Sequence, residues 1–212
     1  MTLRTCVAAL CFSAAIVSAQ TYEIAPVFGV MRPKQSSFLG SLPDNNDKRD
    51  DDTKLRHGQG YGVRFTLNTR GYYGFEGMYM RARHTLEARV NFPGLPEVTR
   101  QDKVNVTYGA FNVLAYMMPP RERFRPFLTV GVHTQRYGEP RFLEWTQGSI
   151  RTFGGNFGGG VKVTLSRHVL LRVDFRDYIG GKPYDLIYAD ESRFGGGLLQ
   201  TLEGTVGLSI GF

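Results

Sequence analysis

Cysteine is almost missing from this chain, and what there is sits at its start. Of 212 residues only Cys6 and Cys11 carry a thiol. Both lie in MTLRTCVAALCFSAAIVSAQ, which has one positive charge at Arg4, an apolar run over residues 7–17 and the small residues Ser18 and Ala19. That is the pattern of a secretory signal peptide, with cleavage expected after Ala19. Residues 1–19 are therefore assigned as the signal peptide and 20–212 as the mature domain. Ala-Ala-Leu before Cys11 fits a lipoprotein cleavage box poorly, so no lipid anchor is expected. The mature chain has no cysteine, which excludes a disulfide framework.

Long apolar runs are missing as well. Past Ala19 none approaches the roughly 18 residues of a membrane helix. A bilayer protein with this sequence must be a closed barrel, because backbone groups in lipid need partners within the protein. Phosphate loops, metal-ligand spacings and nucleic-acid folds are also lacking. DNNDKRDDD, residues 44–52, is no EF-hand: glycine is missing at the turn and Leu55 stands where a bidentate Glu belongs. No cofactor, metal or nucleic-acid partner is expected. The excess of 26 Lys+Arg over 19 Asp+Glu is spread along the chain, not gathered in one patch.

What the chain has instead is alternation. In residues 153–165, Phe153, Phe157, Val161, Val163 and Leu165 share one face, while Asn156, Gly158, Gly160, Lys162 and Thr164 share the other. After a break at Ser166-Arg167, Val169, Leu171, Val173 and Phe175 alternate with Arg172, Asp174 and Arg176. A period of two marks strands, and two so closely joined mark an antiparallel hairpin. The strands are about a dozen residues long, against about five or six in ordinary sheets. They match the roughly 9–11 residues of a tilted transmembrane strand.

The same reading along the chain gives eight strands, over residues 22–31, 59–67, 72–81, 104–117, 127–137, 153–165, 169–178 and 201–212. The expected long loops are 32–58, 83–102 (with Pro93 and Pro96), 138–152 (with Trp145) and 180–200. They alternate with short connections, so long loops gather at one end and short turns at the other. This predicts an all-β, eight-stranded antiparallel up-and-down transmembrane β-barrel. A soluble lipocalin-like barrel also has eight strands. Its apolar face would point inward, leaving Arg64, Glu76, Lys162, Arg172 and Asp174 outside, and no Gly-X-Trp opens the first strand. An internal echo at an offset of 98 aligns GYGVRFTL with GGGVKVTL, and Glu76 with Asp174.

RPFLTVGV (125–132), FGGGVKVTL, LLRVDFRDYI and the terminal Phe212 together resemble the small outer-membrane barrels of the OmpA/OmpX/OmpW kind, in particular stand-alone outer-membrane β-barrel domains. The resemblance spans the mature chain and implies location in the outer membrane of a Gram-negative cell. It implies that Val206, Leu208, Ile210 and Phe212 are an assembly signal read by the barrel assembly machinery. No peptidoglycan-binding domain of the OmpA type follows, which argues against cell-wall tethering. The expected surroundings are outer-membrane lipid and lipopolysaccharide, and the expected state is a monomer.

Some such barrels are enzymes. A lipid-A deacylase would show His-Ser-Asn, but His133 is followed by Thr134-Gln135. An aspartyl protease of this membrane needs paired Asp and an Asp-His pair on a larger barrel. His57 and His84 with Asp50–Asp52 form a conceivable acid/base set, better read as solvated loop residues, and His168 as an interface residue. The chain is read as a non-enzyme, a structural or surface-interaction barrel with porin-like architecture. The alternative is a transporter of small hydrophobic molecules, OmpW-like, which charges and glycines in the lumen disfavour. A lumenal charge network is expected from Arg64, Glu76, Lys162, Arg172, Asp174, Arg176 and Glu203. Within it, Arg64 is expected opposite Glu76, and Lys162 opposite Asp174.

Overall fold

Alternation produces the strands, and closure makes them stable. The computed structural model describes residues 21–34, 36–37, 40–41, 53–90, 98–120, 122–139, 141, 149–181 and 198–212. Its eight long strands are β1 (Thr21–Lys34), β2 (Gly58–Asn68), β3 (Tyr73–Val90), β4 (Val98–Tyr116), β5 (Phe124–Tyr137), β6 (Ile150–Thr164), β7 (Val169–Gly181) and β8 (Leu198–Gly211). Each pairs antiparallel with the next, and β8 returns to β1 through pairs such as Ile24↔Ile210 and Val27↔Gly207. The result is a closed up-and-down barrel, with no helix among the described residues.

Closure needs tilt. Following paired residues once around runs Glu23, Thr66, Glu76, Asn112, Gly131, Asn156, Tyr178, Thr201 and back to β1 at Pro33. The circuit starts at 23 and ends at 33, a stagger of 33 − 23 = 10 residues. Stagger and strand tilt are linked in any closed sheet. A row of paired residues therefore climbs as it circles, and a level ring inside the barrel draws on different rows.

The sorting of faces decides the environment. The outer surface presents a broad apolar band, with Tyr61 66%, Val132 65%, Phe153 71% and Phe175 68% exposed. Water would penalise such a band heavily, whereas hydrocarbon accepts it. The inner face buries the polar and charged residues instead, Arg64, Glu76, Arg172 and Asp174 each at 0% exposure.

The structure departs from the sequence reading in one hairpin. Residues 83–102 were expected to form a long loop. Instead β3 and β4 run 18 and 19 residues and stay paired from Tyr73↔Ala115 to Val90↔Val98. Their outer face turns polar there, at Arg81, Arg83 and Lys103, while Leu86 and Val104 remain buried inside. A strand that has left the bilayer needs no apolar outer face, so the hydropathy signal stops before the strand does. A short strand, Thr53–Leu55, pairs with the end of β3 and places Leu55 inside. Every other strand except β6 and β8 begins or ends a little beyond the expected bounds, and β6 and β8 start earlier and stop one residue short. His168 lies in the turn before β7, where its carbonyl accepts from Gly211 N at 2.9 Å. The signal peptide, the 44–52 acidic run with Asp50–Asp52, Pro93, Pro96 and Trp145 lie outside the described residues.

The closing seam ends with Phe212 N donating to Tyr22 O at 2.9 Å. Unboiled mature protein should migrate differently from boiled protein on a detergent gel. Deletion of Phe212 should reduce that folded band more than deletion of residues 42–52, and equal bands would mean the seam tolerates loss of its last rung.

Candidate functional site

The lumen is built in layers. Nearest the short turns, Glu23 on β1, Asn68 on β2, Tyr116 on β4 and Lys162 on β6 meet. Lys162 Nζ donates to Glu23 Oε2 at 2.5 Å and to the Tyr116 hydroxyl at 2.8 Å. Asn68 Nδ2 donates to Glu23 Oε1 at 2.7 Å, and the Tyr116 hydroxyl donates to Asn68 Oδ1 at 2.5 Å. Both oxygens of Glu23 are thus engaged. Arg125 stacks its guanidinium 3.8 Å from the Tyr116 ring centre, a cation–π contact.

The middle layer holds three guanidiniums and three carboxylates. Arg172 grips Asp174 through Nε–Oδ2 at 2.7 Å and Nη2–Oδ1 at 2.8 Å, and reaches Glu76 Oε2 with Nη2 at 2.5 Å. Arg176 Nη2 lies 2.8 Å from Glu76 Oε1 and 2.9 Å from Asp174 Oδ1. Arg64 Nη1 donates to Glu76 Oε1 at 3.1 Å, and its Nη2 pairs with Glu203. Glu203 also accepts from the Tyr178 hydroxyl at 2.6 Å. All six charged side chains have 0% side-chain exposure or lie buried, and formal charge balances at three against three. Isolated charges would be expensive here, but paired and hydrogen-bonded ones are tolerated.

Glycine makes the space. On β6, a Cβ at Gly160 would approach the Phe127 ring to 2.7 Å, and one at Gly158 would meet Arg176 Cγ at 3.1 Å. The inward glycines of β6 are thus where the Arg176 arm and the Phe127 ring lie.

Towards the long loops the lumen becomes apolar. Met31, Met80, Leu86, Val104, Tyr108 and Leu199 form one buried cluster with Tyr178. This corrects the expectation of a lumen dominated by charge and glycine. The cluster draws on β3 positions whose neighbours were read mainly for their outward aromatics, and on the extended ends of β3 and β4. His84 belongs here: its Nδ1 donates to Arg56 O at 2.9 Å and its Nε2 lies 3.4 Å from the Tyr108 hydroxyl. Burial holds this imidazole below its usual range, which suits the neutral tautomer. His57 is exposed, so the two are not presented as an acid/base pair. His133 lies edge-on to Tyr178 with ring centres 5.0 Å apart. Among the described residues no group of three or more His, Cys, Asp or Glu is placed to hold a metal ion.

The structure brings the predicted charged residues into the lumen but corrects their pairing. Arg64 is opposite Met78 and Glu76 opposite Thr66, so the Arg64–Glu76 contact is diagonal. Lys162 is opposite Arg172, not Asp174, and Asp174 is opposite Gly160. Each hairpin is centred one residue away from the expected turn centre, which displaces opposed pairs by two. Lys162 turns to Glu23, a partner on β1 that no hairpin argument identifies. Glu23 and Tyr116 are brought to Lys162 from strands distant in sequence, while Asn68 and Tyr178 continue the inward alternation of Arg64 and Arg176 on their own strands as uncharged partners; their inward position was the available signal. Val206, Leu208, Ile210 and Phe212 all face outward, between 47% and 72% exposed.

Glu76 contacts all three arginines. Glu76→Ala should destabilise the barrel by about 3–5 kcal/mol, the range for removing one member of a buried charge set, read by thermal unfolding on the gel-mobility assay. Arg64→Ala with Glu76→Ala should cost less than the sum of the singles, as should Lys162→Ala with Glu23→Ala. Additive costs in both cycles would mean that the charges act independently.

Comparison with solved structures shows the same fold at low identity. The outer membrane protein OprG from Pseudomonas aeruginosa is 15% identical with a TM-score of 0.62, covering 92% of this chain and 96% of that one. Neisserial surface protein A is 13% identical with a TM-score of 0.55, covering 91% and 97%. Ail, the attachment invasion locus protein of Yersinia pestis, is 10% identical with a TM-score of 0.53, covering 91% and 99%. No curated protein matches the sequence. The outer membrane protein beta-barrel domain family matches residues 7–210, and with the closed barrel, its lipid-suited exterior and its charged interior this chain belongs to that family.

Proposed function

We propose that this protein is a structural and surface-interaction barrel of the outer membrane whose lumen is sealed. The single observation that carries this reading is the middle layer, where Arg64, Arg172 and Arg176 cross-link Glu76, Asp174 and Glu203 from four strands. An eight-stranded barrel has an interior just wide enough to be filled by side chains. Moving a solute through would require separating several buried ion pairs at once. The barrel then serves as a rigid frame for its long outer loops, in a leaflet of lipopolysaccharide. It works as a monomer, without a cofactor and without catalysis; His84 is engaged by Tyr108 and the Arg56 carbonyl, and His133 by Gln135. Residues 1–19 are removed on export, and Val206, Leu208, Ile210 and Phe212 mark the last strand for the assembly machinery.

A second reading, transport of small hydrophobic molecules, draws on the apolar cluster around Met31, Met80 and Tyr108. Such a molecule entering from outside would meet the charged layer and have to leave sideways.

Purified barrel in planar bilayers should give no steady conductance, and vesicles carrying it should not leak small sugars. Steady open channels would overturn the sealed reading. Uptake of a fluorescent hydrophobic probe that is lost on Met80→Arg, with conductance still absent, would favour the second reading.

A further inference from the structure

Above the apolar band the outer surface carries a row of cations that the fold does not itself require. Arg81 on β3 pairs in register with Thr107 on β4, Thr107 with Arg136 on β5, and Arg136 with Arg151 on β6. The three arginines are exposed and face away from the lumen. Their height is fixed by neighbours on the same face. Arg81 lies two residues beyond Tyr79, which is 58% exposed, and Arg151 two residues beyond Phe153, which is 71% exposed. Both steps lead towards the long loops. The row therefore sits where hydrocarbon ends and outer headgroups begin.

Arg136 and Arg151 are the unusual pair. They are directly opposite on adjacent strands, where side chains start about 4.5–5.5 Å apart and like charges repel. No ion pair joins either of them among the described residues. On the same side, Arg136 Nη2 donates to Ser149 Oγ at 3.2 Å. Ser149 lies just before β6, on the side of Arg151. The hydroxyl residue opposite Arg136 on its other side is Thr107. Two opposed guanidiniums with no carboxylate partner among the described residues are what an anion-binding site presents before its anion arrives.

We propose that Arg136 and Arg151, flanked by Thr107 and Ser149, clamp a phosphate group of an outer-leaflet lipid. The inference rests on the reading above that lipopolysaccharide surrounds the barrel. A phosphate oxyanion between two guanidiniums accepts charge-assisted hydrogen bonds from both and cancels their repulsion. The acyl chains of the same lipid then run down the apolar face past Phe153 and Val132. Arg81 extends the row for a second phosphate on the same or a neighbouring headgroup.

The test uses the full mature barrel in a neutral zwitterionic detergent, with the thermal unfolding midpoint followed on the gel-mobility assay. The probes are bisphosphorylated lipid A, lipid A with its phosphates removed, and inorganic phosphate. The variants are R136Q/R151Q and, as a control with the same loss of charge at the short-turn end, R123Q/R167Q. Bisphosphorylated lipid A should raise the midpoint of the unmodified protein and of the control. It should bind R136Q/R151Q about tenfold more weakly, the size of two exposed charge-assisted contacts. The sign of the substitution should also reverse. Without lipid A, R151Q relieves repulsion and raises the midpoint; with lipid A it lowers it relative to the unmodified protein. An equal lipid A response in R136Q/R151Q overturns the clamp while leaving lipopolysaccharide as a partner. No response in the unmodified protein overturns both. A response reproduced by inorganic phosphate alone would make this a site for free anions and also overturn the proposal.

Discussion

The constraint from which the rest follows is that hydrocarbon offers no hydrogen bonds. Every backbone group within the bilayer must find its partner in the protein. With no long apolar helix among the described residues, only a closed sheet satisfies this, and β1 pairing with β8 is the step that removes the last free edges. The ten-residue stagger follows from closing eight strands. The outward apolar band and the inward polar set follow from the pleat, since one face of every strand meets lipid and the other meets the lumen.

Closure then creates an electrostatic problem of its own. The polar face is turned into a narrow interior, where charges cannot rely on bulk water. The chain answers with compensation across strands: carboxylates from β3, β7 and β8 meet guanidiniums from β2 and β7, and Glu23 on β1 meets Lys162 on β6. Hydrogen bonds from Tyr178, Tyr116, Asn68 and Thr66 add to these sets. Replacement of such groups by well-packed apolar ones is often neutral for stability. Here they link strands across the lumen, each charge set against an opposite one.

The two ends of the molecule differ for the same reason. At the short-turn end the lumen is polar, and the turns are tight, with the Thr69 hydroxyl donating to Tyr73 O at 2.7 Å. Towards the loops the barrel outgrows the bilayer. There β3 and β4 continue as a polar-faced hairpin whose inward side is apolar, and the outer face takes up arginine. Lipid sets the outer face only over the membrane's thickness, and beyond it the strands are free to present charge.

The alternation of residues such as Phe153, Phe157, Val161 and Lys162 determined the strands, their faces and hence the barrel, because a period of two is a local property of the chain. The same alternation sent Arg64, Glu76, Lys162, Arg172, Asp174, Arg176 and Glu203 inward. The sequence could not determine who pairs with whom. A turn centred one residue away moves every opposed pair by two, and the stagger around the barrel brings Glu23 beside Lys162 across 139 positions of sequence. Nor did it determine where β3 and β4 end, since polarity reads alike in a loop and in a strand standing above the membrane. The opposition of Arg136 and Arg151 is likewise a consequence of register, which only the closed tertiary structure fixes.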